Sequence, residues 1–123
     1  MSNELSTPKV LVCPRDKAKT VAKDFASGFS DKNVSYFVGT DATEIYPQMF
    51  LSGDRNLAFQ GQPIKPGLFV LTTNTTSLGW AKGLHYPCGN IGLADGSVQF
   101  WDAKQSAAAV HNQGLATNLL VFP

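Results

Sequence analysis

Charge is scarce in this chain. Asp, Glu, Lys and Arg make up 15% of its 123 residues, against roughly 25% in an average soluble domain. Ten Lys plus Arg and nine Asp plus Glu leave a net charge of +1, so no field exists that would gather a phosphate backbone or an anionic membrane surface. Nucleic acid is therefore not an expected partner. The polar surface has to come from Ser, Thr, Asn and Gln, a neutral coat that suits a protein outside the cytoplasm.

Long apolar runs are also missing. The longest, such as Leu68 to Leu71 and Leu119 to Phe122, hold four residues, where a bilayer span needs about 20. Met1-Ser2-Asn3-Glu4 has neither the positive start nor the apolar stretch of a secretory signal. There are only two cysteines, Cys13 and Cys88, far apart and outside any C-x-x-C, which gives little support to zinc or thioredoxin-like chemistry. A Cys13–Cys88 disulfide, which would contribute about 3 to 5 kcal/mol by loop closure, and two buried thiols both remain open.

No G-x-S-x-G, G-x-x-x-x-G-K-[ST], H-E-x-x-H or G-x-G-x-x-G occurs, so the expectation is a protein that is not an enzyme and has no bound cofactor or metal. His85 and His111 are the only histidines. With Cys13 or Cys88 either could sit in a Cys-His dyad or a metal site, and a small hydrolase would use Cys88 with His85, but His85 falls in a turn-rich connection and His111 near a helix C-terminus, where a cation is favoured. The loop carboxylates Asp41, Glu44, Asp54 and Asp95 make calcium a candidate ligand. They lack EF-hand spacing and read first as turn formers.

What is present reads as strands, turns and two short helices, hence an α+β fold. Residues 1–9 form a loose polar tail, and residues 10–123 a single domain with enough apolar area to bury a core. Val10 to Cys13 reads as a short strand stopped by Pro14. Asp16 can cap a helix through Ala18, Val21, Ala22 and Phe25, closed by Gly28. Asn33 to Gly39 reads as a strand. Met49-Phe50-Leu51 and Leu57-Ala58-Phe59 flank Ser52 to Asn56 as a loose hairpin or a bulged strand. Leu68 to Thr73 has the continuous apolar character of a strand in the middle of a sheet.

The clearest local signal is Asn90 to Ala94, then Asp95-Gly96, then Ser97 to Trp101. Asp-Gly is the preferred two-residue type I′ loop of a β-hairpin, which would set Ile91 and Leu93 on one face with Val98 and Phe100. Asp102 can cap a second helix through Ala103, Ala107, Ala108 and Val110, ended by Gly114, and Leu119 to Phe122 is strand-like.

His85, nine intervening residues and Asp95-Gly96 form an H-x9-D-G pattern that resembles the processing-associated class of bacterial prepilin-type, pseudopilin-like proteins. Cys13-Pro14-Arg15-Asp16 is similar to their Cys-Pro-x-Asp segment. Asn33 to Gly39, Leu51 to Leu57, Gly89 to Gln99 and Gly114 to Leu119 also resemble segments of one subgroup. The resemblance covers most of the chain from Val10 onward. It implies a pilin-like globular head, on the periplasmic or extracellular side, that in the whole protein follows a hydrophobic N-terminal helix anchored in the inner membrane. This chain would then be the excised head, monomeric by itself.

The function so implied is structural: a subunit of a type II secretion pseudopilus or a type IV pilin-like filament. It would meet other pseudopilin subunits through the helix, and secreted proteins as cargo. Within that reading His85, Asp95 and Gly96 are structural, with His85 bonding the backbone of the loop before the hairpin. The alternative from another class is an extracytoplasmic module that recognises an exported protein or a glycan through sheet edges and the aromatics Trp80, Tyr86 and Trp101.

Overall fold

Short runs of β-branched and aromatic residues cut by Gly, Asn and Pro make strands joined by turns. The computed structural model describes residues 2–123, and the α+β fold expected from the sequence is what it contains. The strands are β1 (Tyr36–Gly39), β2 (Phe50–Asp54), β3 (Leu57–Phe59), β4 (Gln62–Pro63), β5 (Gly67–Thr72), β6 (Leu78–Trp80), β7 (Gly89–Leu93), β8 (Val98–Trp101) and β9 (Thr117–Phe122). The helices are α1 (Ser2–Leu5) and α2 (Ala103–Val110). A six-stranded sheet has the order β5-β9-β1-β2-β7-β8, and a three-stranded sheet the order β4-β3-β6. Every pairing is antiparallel. Of the tail expected over residues 1–9, Met1 lies outside the described residues.

The core lies between the sheets. Phe37, Phe50, Leu71, Ile91 and Leu120 from the large sheet meet Leu57, Leu78 and Trp80 from the small one and Val110 from α2. Each such side chain contributes about 1.5 to 3 kcal/mol by leaving water. Helix α2 begins as expected at Asp102, whose carboxylate accepts from Gln105 N–H at 2.8 Å while the Gln105 side chain accepts from Asp102 N–H at 3.0 Å. This reciprocal cap satisfies two of the otherwise orphaned donors at the helix start.

Four expectations are corrected. Val10 to Cys13 is not a strand: a 3-10 turn at Pro8–Leu11, capped by Thr7, carries the chain to Cys13. No helix forms over residues 18–25. The Asp16 carboxylate is drawn to Arg55, and Thr20 is tied to the segment after it by the Lys32 carbonyl and the Asn33 side chain. Those long-range bonds outweigh a short periodic pattern that includes the β-branched residues Thr20 and Val21. The segments around Ser52 to Asn56 are not one hairpin, because β2 pairs with β1 and β7, and β3 with β4 and β6. The chain crosses between sheets at Arg55-Asn56, and a register shift between Phe50 and Ser52 marks a bulge in β2. Finally, β5 lies at the edge of its sheet rather than in the middle.

The β7–β8 hairpin is present, with a different turn. Gly96 N–H bonds the Leu93 carbonyl and Leu93 N–H bonds the Ser97 carbonyl. Gly96 has φ of +87°, whereas Asp95 is not among the residues with positive φ. This is a three-residue loop with a type I turn and glycine in the left-handed position, not type I′. The extra residue slides the register by one, so Ile91 faces Gln99 and Gly92 faces Val98. Ile91 and Leu93 are buried, while Val98 and Phe100 are exposed on the opposite face, as a one-residue slip requires. Gly96→Ala should cost about 1 kcal/mol, since only glycine holds that φ freely. A chemical denaturation midpoint unchanged by the substitution would contradict this turn.

The face of the large sheet turned away from the core carries a rank of directly opposed residues across all six strands: Leu68, Val121, Val38, Ser52, Gly92 and Val98. Leu68, Val121, Val38 and Val98 are exposed apolar side chains.

Candidate functional site

Asp54 ends β2 and is fully buried. Burial of a carboxylate is tolerated only with hydrogen-bond partners, and three donors converge on its Oδ2. These are His85 Nδ1 at 2.9 Å, Asn90 N–H at 2.8 Å and Asn90 Nδ2 at 3.2 Å. Asn90 stands in β7, one of the two strands that flank Asp54's own: Tyr36 of β1 opposes Asp54 directly, and Gly53 opposes Ile91 of β7. His85 is delivered by the loop between β6 and β7, which turns at Gly83 and Leu84, both with positive φ.

The other nitrogen of His85, Nε2, lies 3.9 Å from Cys13 Sγ. With Nδ1–H donating to the carboxylate, Nε2 presents its lone pair to the thiol. Cys13 is held by its own N–H, which donates to Ser35 Oγ at 3.0 Å, and by Ser35 N–H, which donates to the Leu11 carbonyl at 2.8 Å. Cys13, His85 and Asp54 therefore stand in the order thiol, imidazole, carboxylate. This is the arrangement of a cysteine nucleophile with an oriented base. Cys13, however, is 3% exposed, and the hollow that opens nearby is lined by Pro14, Arg15, Lys17, Gly83, Leu84 and Tyr86, not by the thiol. As it stands, the arrangement fastens the N-terminal segment and the β6–β7 loop onto β2 and β7.

A second fastening lies beside it. Arg55, next in the chain to Asp54, forks onto Asp16 through Nε at 2.6 Å and Nη2 at 2.7 Å. Burial disfavours the Asp16 charge, but the hydrogen bonds from Arg55 and Ser35 and the nearby guanidinium charge outweigh it, and the pKa falls below its ordinary 3.8. A depressed carboxylate pKa contributes stability above the unfolded value that is lost as pH falls through the folded one. The domain should therefore lose stability on acidification below about pH 4. Asp16→Asn, weaker at neutral pH, should show a flatter profile over the same range. Parallel denaturation midpoints for the two proteins between pH 6 and pH 3 would contradict the assignment.

The residues singled out in the sequence separate into two places. His85 joins Asp54, Asn90 and Cys13, and its side chain bonds the Asp54 carboxylate rather than loop backbone, which corrects the expectation. Asp95 and Gly96 lie beyond the other end of β7, where Asp95 Oδ1 accepts from Ser97 Oγ at 2.6 Å and Ser97 N–H at 2.8 Å. Those bonds hold its carboxyl below the ordinary carboxylate range. The H-x9-D-G spacing thus spans one strand, placing a loop histidine before it and a turn after it.

Cys13 and Cys88 are free thiols in this structure, Cys13 buried and Cys88 half-buried. The thiol beside His85 is thus Cys13, not the Cys88 of the hydrolase alternative. Among the described residues no group of three His, Cys, Asp or Glu is placed to hold a metal ion. Of the calcium candidates, Asp41 instead accepts from Leu119 N–H at 2.8 Å. Trp80 is buried and Trp101 packs on Phe50 with ring centroids 6.1 Å apart, so of the three aromatics considered for recognition only Tyr86 is exposed.

Sequence reasoning did not single out Asn90 or Arg55, and it read Asp54 as a loop carboxylate and Asp16 as a helix cap, not as the buried acceptors they are. The available signal was Asp54-Arg55-Asn56 between the apolar segments Met49 to Leu51 and Leu57 to Phe59, three polar side chains in a place where a turn needs only one or two. No family model, no curated protein and no solved structure matches this chain.

Proposed function

We propose that this domain is the globular head of a type II secretion pseudopilin or a type IV pilin-like protein, a structural subunit that acts by assembly and not by catalysis. The observation that carries the reading is the apolar rank on the solvent face of the large sheet. Five strand spacings at about 4.8 Å make it about 24 Å wide, the length of roughly 16 residues of α-helix. Beside it lies an apolar hollow of about 420 Å³, lined by Val38, Val121, Phe25 and Phe29. Leu5, the last residue of the helical turn α1, also lines it. A helix preceding Leu5 and laid across this face would cover it.

In that reading the head stands on the periplasmic side, anchored at the inner membrane by the helix. Its partners are other pseudopilin subunits through that helix, with secreted proteins as the cargo served. Asp54, His85 and Cys13 then keep the N-terminal segment locked to the sheet, so that pull on the stem reaches the whole head. The test is the gene's reading frame upstream of Leu5, together with processing of the full-length product by a prepilin peptidase. A cleavage site followed by about 20 apolar residues is the expected result. An upstream frame encoding neither overturns the reading.

A further inference from the structure

Both ends of the six-stranded sheet, β5 and β8, are open. Edge strands are commonly blunted by charge, proline or a cover, yet Gly-Leu-Phe-Val-Leu-Thr and Val-Gln-Phe-Trp contain neither charge nor proline. The ladder parity tells which backbone groups are free. Thr73 N–H bonds the Ala116 carbonyl, so in the same register Phe69 and Leu71 bond β9, and the N–H and C=O of Leu68 and Val70 point outward. At Thr72 the outward groups are closed by Thr75, whose Oγ1 accepts from Thr72 N–H at 3.1 Å and whose N–H donates to the Thr72 carbonyl at 2.9 Å. In β8 the Leu93–Ser97 bond sets Gln99 toward β7 and leaves Val98 and Phe100 pointing outward. Among the described residues no hydrogen bond reaches the outward groups of Leu68, Val70, Val98 or Phe100.

The two edges complement each other. Strand direction alternates along an order of six strands, so β8 of one copy runs antiparallel to β5 of a second copy set beside it with the same face up. The four outward residues share the solvent face of the sheet and are 71, 54, 69 and 58% exposed for Leu68, Val70, Val98 and Phe100. Pairing Leu68 with Phe100 and Val70 with Val98 satisfies the ladder and brings four apolar side chains together. The same register sets Pro66 opposite Asp102 and so brings Lys65, which has no ion pair among the described residues, beside a carboxylate.

We propose that a second copy of this chain docks head to tail, the β5 edge of one head on the β8 edge of the next, continuing one sheet through successive heads. Such a contact uses two different patches, so it propagates instead of closing as a dimer. Two ladder positions bury less than the roughly 1,200 Å² of a stable interface. The free domain should therefore be monomeric near 10 μM and associate toward 1 mM. The biological use rests on the head being a filament subunit, because stems that hold heads side by side supply effective concentrations in the millimolar range.

The experiment is sedimentation velocity on the isolated domain and two exposed-edge variants, Leu68→Lys/Val70→Lys and Val98→Lys/Phe100→Lys. The wild type is expected to grow beyond dimer with concentration. Each variant alone should stay monomeric, and their equimolar mixture should stop at dimer through the one intact pair of edges. A wild type that stays monomeric at about 1 mM, or a variant that dimerises alone, overturns the proposal. Should a variant not fold, amide exchange on the wild type decides: Leu68, Val70, Val98 and Phe100 should exchange severalfold more slowly at high concentration, and unchanged rates overturn the docking. An upstream frame without a stem would leave this result standing while removing the filament reading.

Discussion

Asp54→Ala should lower the stability of the domain by about 3 kcal/mol and its melting temperature by roughly 10 °C. The carboxylate is fully buried and accepts from His85 Nδ1, Asn90 N–H and Asn90 Nδ2 through one oxygen. Alanine leaves the backbone N–H of Asn90 and the half-buried imidazole without the acceptor that the fully buried carboxylate supplies. An unsatisfied buried donor costs about 1 to 3 kcal/mol. Asp54→Asn keeps one acceptor oxygen and should cost clearly less. Cys13→Ala should cost less still, since the thiol meets His85 at 3.9 Å, too far for a strong bond. Calorimetric melting of the three variants checks the ranking. If Asp54→Ala and Cys13→Ala prove equally mild, the carboxylate is not the point to which the loop and the N-terminal segment are fastened.

Why this fastening was illegible in the sequence while the hairpin was not follows from the range of the interactions. Asp95-Gly96 acts on its own neighbours, and a glycine in the left-handed position announces a turn wherever it falls. The length of the loop was not legible, because type I′ and type I with a following glycine both place Gly late in the turn, and the choice reverses which face Val98 and Phe100 occupy. The capping role of Asp102 was equally local. Asp54 becomes a buried acceptor only when β2, β7 and the β6–β7 loop converge, across separations of 31 residues to His85 and 36 to Asn90. Asp16 shows the same effect in reverse, a carboxylate suited to start a helix but captured by Arg55, 39 residues away. The apolar run of β5 signalled burial by composition, yet the strand stands at an edge with Leu68 and Val70 in solvent. That discrepancy is the physical content of the docking proposal.

Gly89→Ala should destabilise by about 3 kcal/mol, at the upper end of the usual cost of overfilling a core. A Cβ at residue 89 would overlap the benzo edge of the Trp80 indole, at Cζ3, Cη2 and Cε3. Trp80 is buried in the small sheet and belongs to the core cluster, so the ring cannot withdraw without giving up core contacts. Moving the start of β7 away from the ring would also displace Asn90, the next residue, whose N–H bonds Asp54. The overlap and the Asp54 fastening are thus coupled through one peptide unit. Trp80→Leu alone opens a cavity and should cost about 2 to 4 kcal/mol. The double variant Gly89→Ala/Trp80→Leu should be at least 1 kcal/mol more stable than the sum of the two single losses, since the methyl group then enters vacated space. Additive losses in a denaturation cycle would mean that Gly89 is needed for backbone freedom instead of for its contact with Trp80. The small sheet would then not set the position of the strand that joins the His85 loop to the Asp95 turn.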